Sequence, residues 1–213
     1  LSRRGKMAKD LRIGDLIEVV KSYHPAAEVE MVRRAYDFSA EVHRGQKRMS
    51  GEPYLVHPVA VAEIIADLKL DVPSIVGGLL HDTVEDTLTT LDQIQEDFGK
   101  DVAALVDGVT KLSRVNFTSR EEKQSENFRK MVLAMVKDVR VILIKLADRT
   151  HNMRTLGHLS NEQQFAIAQE TLDIYAPLAD RLGIAWIKCE LEDLSLKYLR
   201  PEIYYQLKRA VAR

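Results

Sequence analysis

Cysteine occurs once in the 213 residues, at Cys189, so no intramolecular disulfide can form. A single cysteine fits a reducing compartment, and a cytoplasmic location is the expectation. Long apolar runs are missing too. The stretch from Val139 to Leu146 is broken by Arg140 and Lys145, and it falls far short of the ~20 residues that span a bilayer, so no membrane partner is expected. The opening LSRRGKMAKD has positive charge with no apolar region behind it, which argues against a signal peptide, and a first residue other than Met suggests a trimmed chain. An excess of either charge is absent: 31 Lys and Arg face 32 Asp and Glu. No global field draws the chain onto nucleic acid, and an anionic ligand must be met by a local cluster. Glycine (10) and proline (6) are sparse. With no low-complexity segment and no repeat at solenoid period, nothing marks an internal domain boundary.

What is present is helical periodicity over a chain that is 46% hydrophobic, enough for one large domain or a domain with a helical extension. Val29, Val32, Ala35, Tyr36, Phe38, Ser39 and Val42 share one side of a helix that ends near Gly45. Pro58 opens a second helix, and Asp71 with Pro73 opens a third that carries IVGGLLHDTVED. Thr90 with Gln93 and Ser160 with Gln163 have the spacing of capping boxes. VRVILI, residues 139–144, has the composition of a buried strand as much as of a buried helix. No second strand-like run offers it a partner, so it reads as the first turns of a helix continuing into KLADRTHNMRTL. The expected fold is all-α, a bundle of about ten helices with short loops. The polar stretch Asn116 to Asn127 interrupts it and reads as a flexible flap.

Three polar groupings interrupt the apolar pattern. His81, Asp82, Glu85 and Asp86 follow a wholly apolar turn, and on one continuous helix they cover an arc of roughly 140°. Two carboxylates alone would be a helix end emerging into water. A His-Asp pair at the end of a buried turn is poorly placed for solvation, and a cation would neutralise it. Asp148, Asn152 and Thr155 form a second polar stripe, a spacing common on ordinary helix faces. His57, beside Pro58, is by itself more often a core histidine than a ligand. Together they supply two imidazoles and two carboxylates from three helices, a set suited to a six-coordinate divalent ion. The basic segment HRGQKRMSGEPYLVHP, residues 43–58, leads into His57. Its Arg48 could stack on a base or clamp a phosphate, or the segment could be a solvated loop.

HRGQKRMSGEPYLVHP, GLLHDTVEDT, LVDGVTKLS and VILIKLADRTHNMRTL, followed by ETLDIYAPLADRLG and KCELEDLSLKYL, closely resemble the N-terminal hydrolase domain of the Rel/Spo family of bifunctional (p)ppGpp synthetase/hydrolases. The match runs from about Ala35 to Pro201. The resemblance implies an HD-type helical fold, bound Mn²⁺, and hydrolysis of ppGpp or pppGpp to GDP or GTP plus pyrophosphate. It places the metal ligands on His57, His81, Asp82 and Asp148, and the family's Glu-Asp pair, which handles the attacking water, on Glu85 and Asp86. It places Arg48 against guanine with Ser50 nearby, and Asn152, Thr155 and Tyr175 along the ribose and phosphates. Lys47, Lys111, Lys145 and Arg149 are further basic candidates. Met49 departs from a position commonly basic or small and polar in the family, so one substrate contact is in doubt. Thr150 stands where Leu is usual and is expected to be neutral.

The expected organisation is an N-terminal extension over 1–24, the hydrolase domain over 25–200, and a C-terminal helix over 201–213 leading towards the synthetase domain of longer relatives. The chain is thus expected to be a fragment or a short stand-alone hydrolase. Two other functions compete: an HD-fold nucleotidase on a different phosphorylated nucleotide, and a non-catalytic module that binds the alarmone. The intact ligand set and Glu-Asp pair argue against the second.

Overall fold

The computed structural model describes residues 3–113 and 137–211; the expected flap, Asn116 to Asn127, lies outside them. Among the described residues every regular element is helical, and the nearest approach to a strand is one bridge between Lys47 and Pro53. In chain order the α-helices are α1 (Arg3–Tyr23), α2 (Val29–Val42), α3 (Val56–Asp67), α4 (Val72–Leu80), α5 (Thr83–Asp86), α6 (Leu91–Ser113), α7 (Val139–Arg154), α8 (Asn161–Glu170), α9 (Ala176–Arg181), α10 (Ala185–Leu199) and α11 (Pro201–Val211). The all-α expectation holds. The described residues fall into two compact units, 3–113 with 137–147, and 148–211.

In the first unit α4 is the most enclosed element. Asp71 starts it as an N-cap, accepting from the Ser74 amide at 3.1 Å, with Pro73 in the first turn. Its residues are apolar or small on every side, and Ile75, Val76, Leu79 and Leu80 are fully buried, each contributing about 1.5–3 kcal/mol relative to exposure. It packs against α2, α3 and α6. Gly78 permits that approach, since a Cβ there would lie 2.4 Å from the Ile65 terminal methyl. VRVILI does open a helix: Val141, Ile142, Ile144, Leu146 and Ala147 are buried, so α7 needs no polar face over its first turns. Arg140 is the exception. Its guanidinium meets Asp138 and Asp101 at 2.7 Å and Asp71 at 2.7 Å, tying the start of α7 to the start of α4 and the middle of α6.

IVGGLLHDTVED is not the single helix expected from its pattern. α4 stops at Leu80 with His81 as its C-cap, and α5 is a separate turn. The Thr83 hydroxyl donates to the Leu80 carbonyl at 2.7 Å, taking the acceptor that a continuing helix would give to the Val84 amide. α6 is likewise interrupted at Gly99, whose φ is 89°.

In the second unit Ser160 and Gln163 form the expected capping box of α8, with bonds of 3.1 and 3.3 Å. α8 passes through a π turn at Thr171–Tyr175 into α9. Thr171 marks that turn by donating back to the Ile167 carbonyl at 2.7 Å. Arg154 joins α7 to α10 through a two-point pair with Glu190 at 2.6 and 2.8 Å.

The helix crossings predict a difference between two glycines. A Cβ on Gly108 would lie 2.7 and 3.1 Å from the two methyls of buried Val141, and a β-branched side chain in a helix has one strongly preferred rotamer, so the methyls do not swing clear. At Gly78 the one severe clash is with a swinging Ile terminus. Gly108→Ala should therefore lower stability by about 1–2 kcal/mol after the gain in helix propensity, a fall in Tm of roughly 2–8 °C, and Gly78→Ala by less. Thermal unfolding of the two variants checks this order.

Candidate functional site

The break between α4 and α5 sets the chemistry of the second motif. His81 and Asp82 sit at the junction, 4% and 7% exposed, whereas Glu85 and Asp86 one turn later are exposed. His81 Nδ1 lies 2.8 Å from the Gly78 carbonyl. That bond places the proton on Nδ1, so Nε2 is the nitrogen that could ligate a metal. His57 enters from the first turn of α3, buried, its ring edge-on to that of His81 with centroids 5.1 Å apart.

Asp148 follows Ala147 directly on α7 and is 5% exposed. His57, His81 and Asp148 each offer a ligand atom within 4.8 Å of the other two. Asp82, the fourth expected ligand, is outside that spacing, with Oδ2 3.9 Å from His81 Nε2. Both Asp82 oxygens are nonetheless buried without a hydrogen-bond donor. Burial pushes the Asp82 carboxyl up, but His81, His43 and His57 outweigh it and hold the group well below the usual carboxylate range. A buried carboxylate with no hydrogen bond in good geometry, beside two imidazoles and a second carboxylate, fits a divalent cation, which would satisfy the charge these side chains accumulate.

A polar network missing from the sequence reading lies behind the motif. His43 is 3% exposed; its ring stacks on Tyr54 at 4.4 Å and 14°. Its Nε2 faces Asp82 Oδ1 at 3.4 Å, and its Nδ1 lies 2.7 Å from Gln46 Oε1. Burial pulls the His43 pKa down, but hydrogen bonding and charge from Asp82, with Gln46, raise it overall. The Tyr54 hydroxyl donates to the Asp86 carboxylate, and burial together with Asp82 and Asp86 pushes that phenol up, so it keeps its proton. Both residues lie in the quoted basic segment; ligand spacing alone does not signal them.

The remaining expected residues divide. Arg48 sits in a turn closed by the Arg48 amide on the Glu52 carbonyl at 3.0 Å and the Tyr54 amide on the Gln46 carbonyl at 3.1 Å. Lys47 and Met49 are exposed on that turn, and the Ser50 hydroxyl is 3.3 Å from Glu52. Asn152 donates to Asp148 Oδ1 at 2.6 Å, so this stripe is joined. Thr155 ends it, its hydroxyl on the His151 carbonyl at 3.1 Å. Arg149 and Tyr175 come together, the guanidinium 4.1 Å over the ring and 2.8 Å from Glu170. Lys145 is half-buried on α7, and Lys111 is exposed on α6, paired with Asp107.

A helical fold with a buried His, His-Asp and Asp set defines a class, and comparison with known proteins identifies it. The HD domain model matches residues 35–185, and the chain belongs to the HD domain family. It is 62% identical over 192 residues to GTP pyrophosphokinase of Myxococcus xanthus, covering 89% of this chain and 25% of that protein. It is 52% identical over 196 residues to bifunctional (p)ppGpp synthase/hydrolase SpoT of Escherichia coli K12, covering 92% and 28%. The chain thus spans about a quarter of the length of these relatives. A solved structure described as a metazoan ortholog of SpoT that hydrolyzes ppGpp and plays a role in starvation responses aligns with a TM-score of 0.54 at 28% identity, over 83% of this chain and 95% of its own. The resemblance to Rel/Spo proteins is borne out. Among the described residues no helix is long and apolar enough to cross a membrane.

The ligand set predicts metal-linked stability. Mn²⁺ at a hundredfold excess over its Kd should stabilise the protein by about 2.7 kcal/mol. Asp82→Ala should lose both that rise in Tm and the bound ion. Stoichiometric Mn²⁺ in the purified variant, measured by atomic emission, would contradict the ligand assignment.

Proposed function

We propose that this chain is a (p)ppGpp hydrolase domain that removes the 3′-pyrophosphate of ppGpp and pppGpp, giving GDP and GTP with pyrophosphate, in the cytoplasm and with Mn²⁺ as its ion. The observation that carries the reading is a buried group of candidate ligands, His57, His81 and Asp148 with Asp82 beside His81, and an exposed acid pair, Glu85 and Asp86, one turn beyond the His-Asp pair. The names of relatives 52–62% identical supply the substrate class. The hydrolase domain is read as 25–200, with 1–24 an extension and 201–213 leading towards a synthetase domain as in longer relatives.

A divalent ion held by the four ligands supplies Lewis acidity, lowering the pKa of water and offsetting phosphate charge. The chain's own side chains do the rest. Glu85 and Asp86 are exposed to arriving substrate, and as carboxylates they orient the water and accept its proton. The water oxygen bonds to the phosphorus attached to the 3′ oxygen. The bond from that phosphorus to the ribose oxygen breaks, and the oxygen takes up a proton as the 3′-hydroxyl while pyrophosphate leaves. Arg48 is assigned to the guanine, Ser50 beside it, and Asn152, Thr155 and Tyr175 to the ribose and phosphates. Lys47 and Lys145 remain basic candidates, with Met49 exposed on the same turn as Lys47. Lys111 and Arg149 already hold Asp107 and Glu170, so a phosphate must displace or share those partners.

Two variants test the roles. Glu85→Gln keeps shape and hydrogen bonding without the base, and should lower kcat by a factor on the order of 10²–10⁴ with metal content normal; loss of metal would make Glu85 a ligand. Arg48→Ala should chiefly raise KM, because contact with the base is the same in ground and transition states. Both are read in an assay with Mn²⁺ and ppGpp that identifies products. Orthophosphate in place of pyrophosphate would redirect the reading to another HD-fold nucleotidase, and tight binding without turnover to a regulatory module.

A further inference from the structure

Behind the two carboxylates that the proposed reaction needs stand two stacked rings that it does not use. Tyr54 and His43 lie nearly parallel at 4.4 Å, and each points a polar atom at the acids: the Tyr54 hydroxyl donates to the Asp86 carboxylate with Asp82 close by, and His43 Nε2 faces Asp82 Oδ1. Packing alone would not require this. A buried ring stacked on a half-buried one for their apolar faces alone would not also aim a polar atom each at a carboxylate. His43 Nε2 is buried with no hydrogen-bond partner in good geometry, and what it faces at 3.4 Å is Asp82. Gln46 fixes the ring. Its amide nitrogen donates to the Asp86 carbonyl at 3.2 Å, which turns its oxygen towards His43 Nδ1 at 2.7 Å and orients the other ring nitrogen on Asp82.

We propose that His43 and Tyr54 are positioning residues that act as one unit and divide the work: His43 sets the Asp82 carboxylate for the metal, and Tyr54 sets the Asp86 carboxylate for the water. Backbone bonding within α5 already joins the two residues, the Asp86 amide on the Asp82 carbonyl at 2.9 Å; the stack acts on their carboxylates, which that bond leaves free to rotate. The inference rests on the assignment of Asp82 to the metal and Asp86 to the water.

The division of work is what the experiment reads, in the full chain stripped of metal by chelation and titrated with Mn²⁺ by calorimetry, and in steady-state kinetics with ppGpp. Tyr54→Phe keeps the ring and its stack. It should leave the Mn²⁺ Kd within about twofold and KM unaltered while kcat falls about 10–100-fold, the usual range for an outer partner of a metal site. His43→Leu keeps an apolar filler and should weaken Mn²⁺ by about 10–100-fold. His43→Gln, whose amide N–H reaches the place of Nε2, should restore most of that affinity, and His43→Asn, which reaches only as far as Nδ1, should not. The Gln and Asn pair decides the matter if His43→Leu does not fold. A wild-type Kd in both His43→Leu and His43→Asn, or a wild-type kcat in Tyr54→Phe, overturns the proposal. So does loss of affinity, kcat and Tm in step in both the Tyr54 and His43 variants, since a merely structural role predicts that. Asp82→Ala separates the levels: retained metal there brings down the underlying assignment, whereas lost metal beside an unaltered His43→Leu brings down this inference alone.

Discussion

A carboxylate with both oxygens buried, met only by imidazole nitrogens at 3.4 Å and beyond, is the constraint on which the rest of the site depends. Asp82 stands at the end of a helix enclosed on every side, and isolation of such a charge in an apolar setting would be prohibitive. Three imidazoles surround it, from His81, His43 and His57. The fold is arranged to bring them there: α4 must be apolar to be enclosed, glycine at 78 lets it approach α3, and the hydroxyl of Thr83 ends it so that His81 and Asp82 turn inward together. The polar group is costly for stability and is retained by the same elements that make the apolar core.

Much of this was legible in the residue order. The all-helical fold followed from 3.6-residue periodicity, and VRVILI resolved to a helix because no second strand could pair with it. His57, His81, Asp82 and Asp148 were weak signals one by one and gained weight only together, as two imidazoles and two carboxylates from three helices. The continuity of IVGGLLHDTVED was misread, since a threonine hydroxyl that captures a backbone carbonyl leaves no trace in the hydrophobic pattern. His43 and Tyr54 went unread for another reason. Their role comes from a stack and from the acids behind it, and neither spacing nor residue type encodes a contact across 39 residues, as between His43 and Asp82. The boundary between the two units was invisible because it falls within α7, a continuous helix with no linker to announce it.

The second unit shows how charge is handled away from the ligands. Arg149 follows Asp148, yet its guanidinium is laid over Tyr175 and fixed by Glu170. The π turn at Thr171–Tyr175 adds a residue to the helical register just before Tyr175, and the ring comes to lie beneath the cation. A cation–π contact of this kind and an ion pair keep a strong positive charge at a set place. A flexible lysine could not be held there in the same way, because it lacks the planar fork that stacks and pairs at once.

The separation of α4 from α5 has a consequence for how such a protein can diversify. His81 and Asp82 are buried at the end of α4, so their replacement disturbs a core. Glu85 and Asp86 are exposed at the end of the short α5 turn, whose Thr83 at the other end is buried. Drift or selection can rewrite that turn, to another acid, an amide or an apolar residue, and leave a folded domain with its ligand pocket intact. If the acid pair carries turnover as proposed, the architecture lets turnover be lost or retuned apart from the buried ligand group, and a binding-only descendant is then a short step away in sequence.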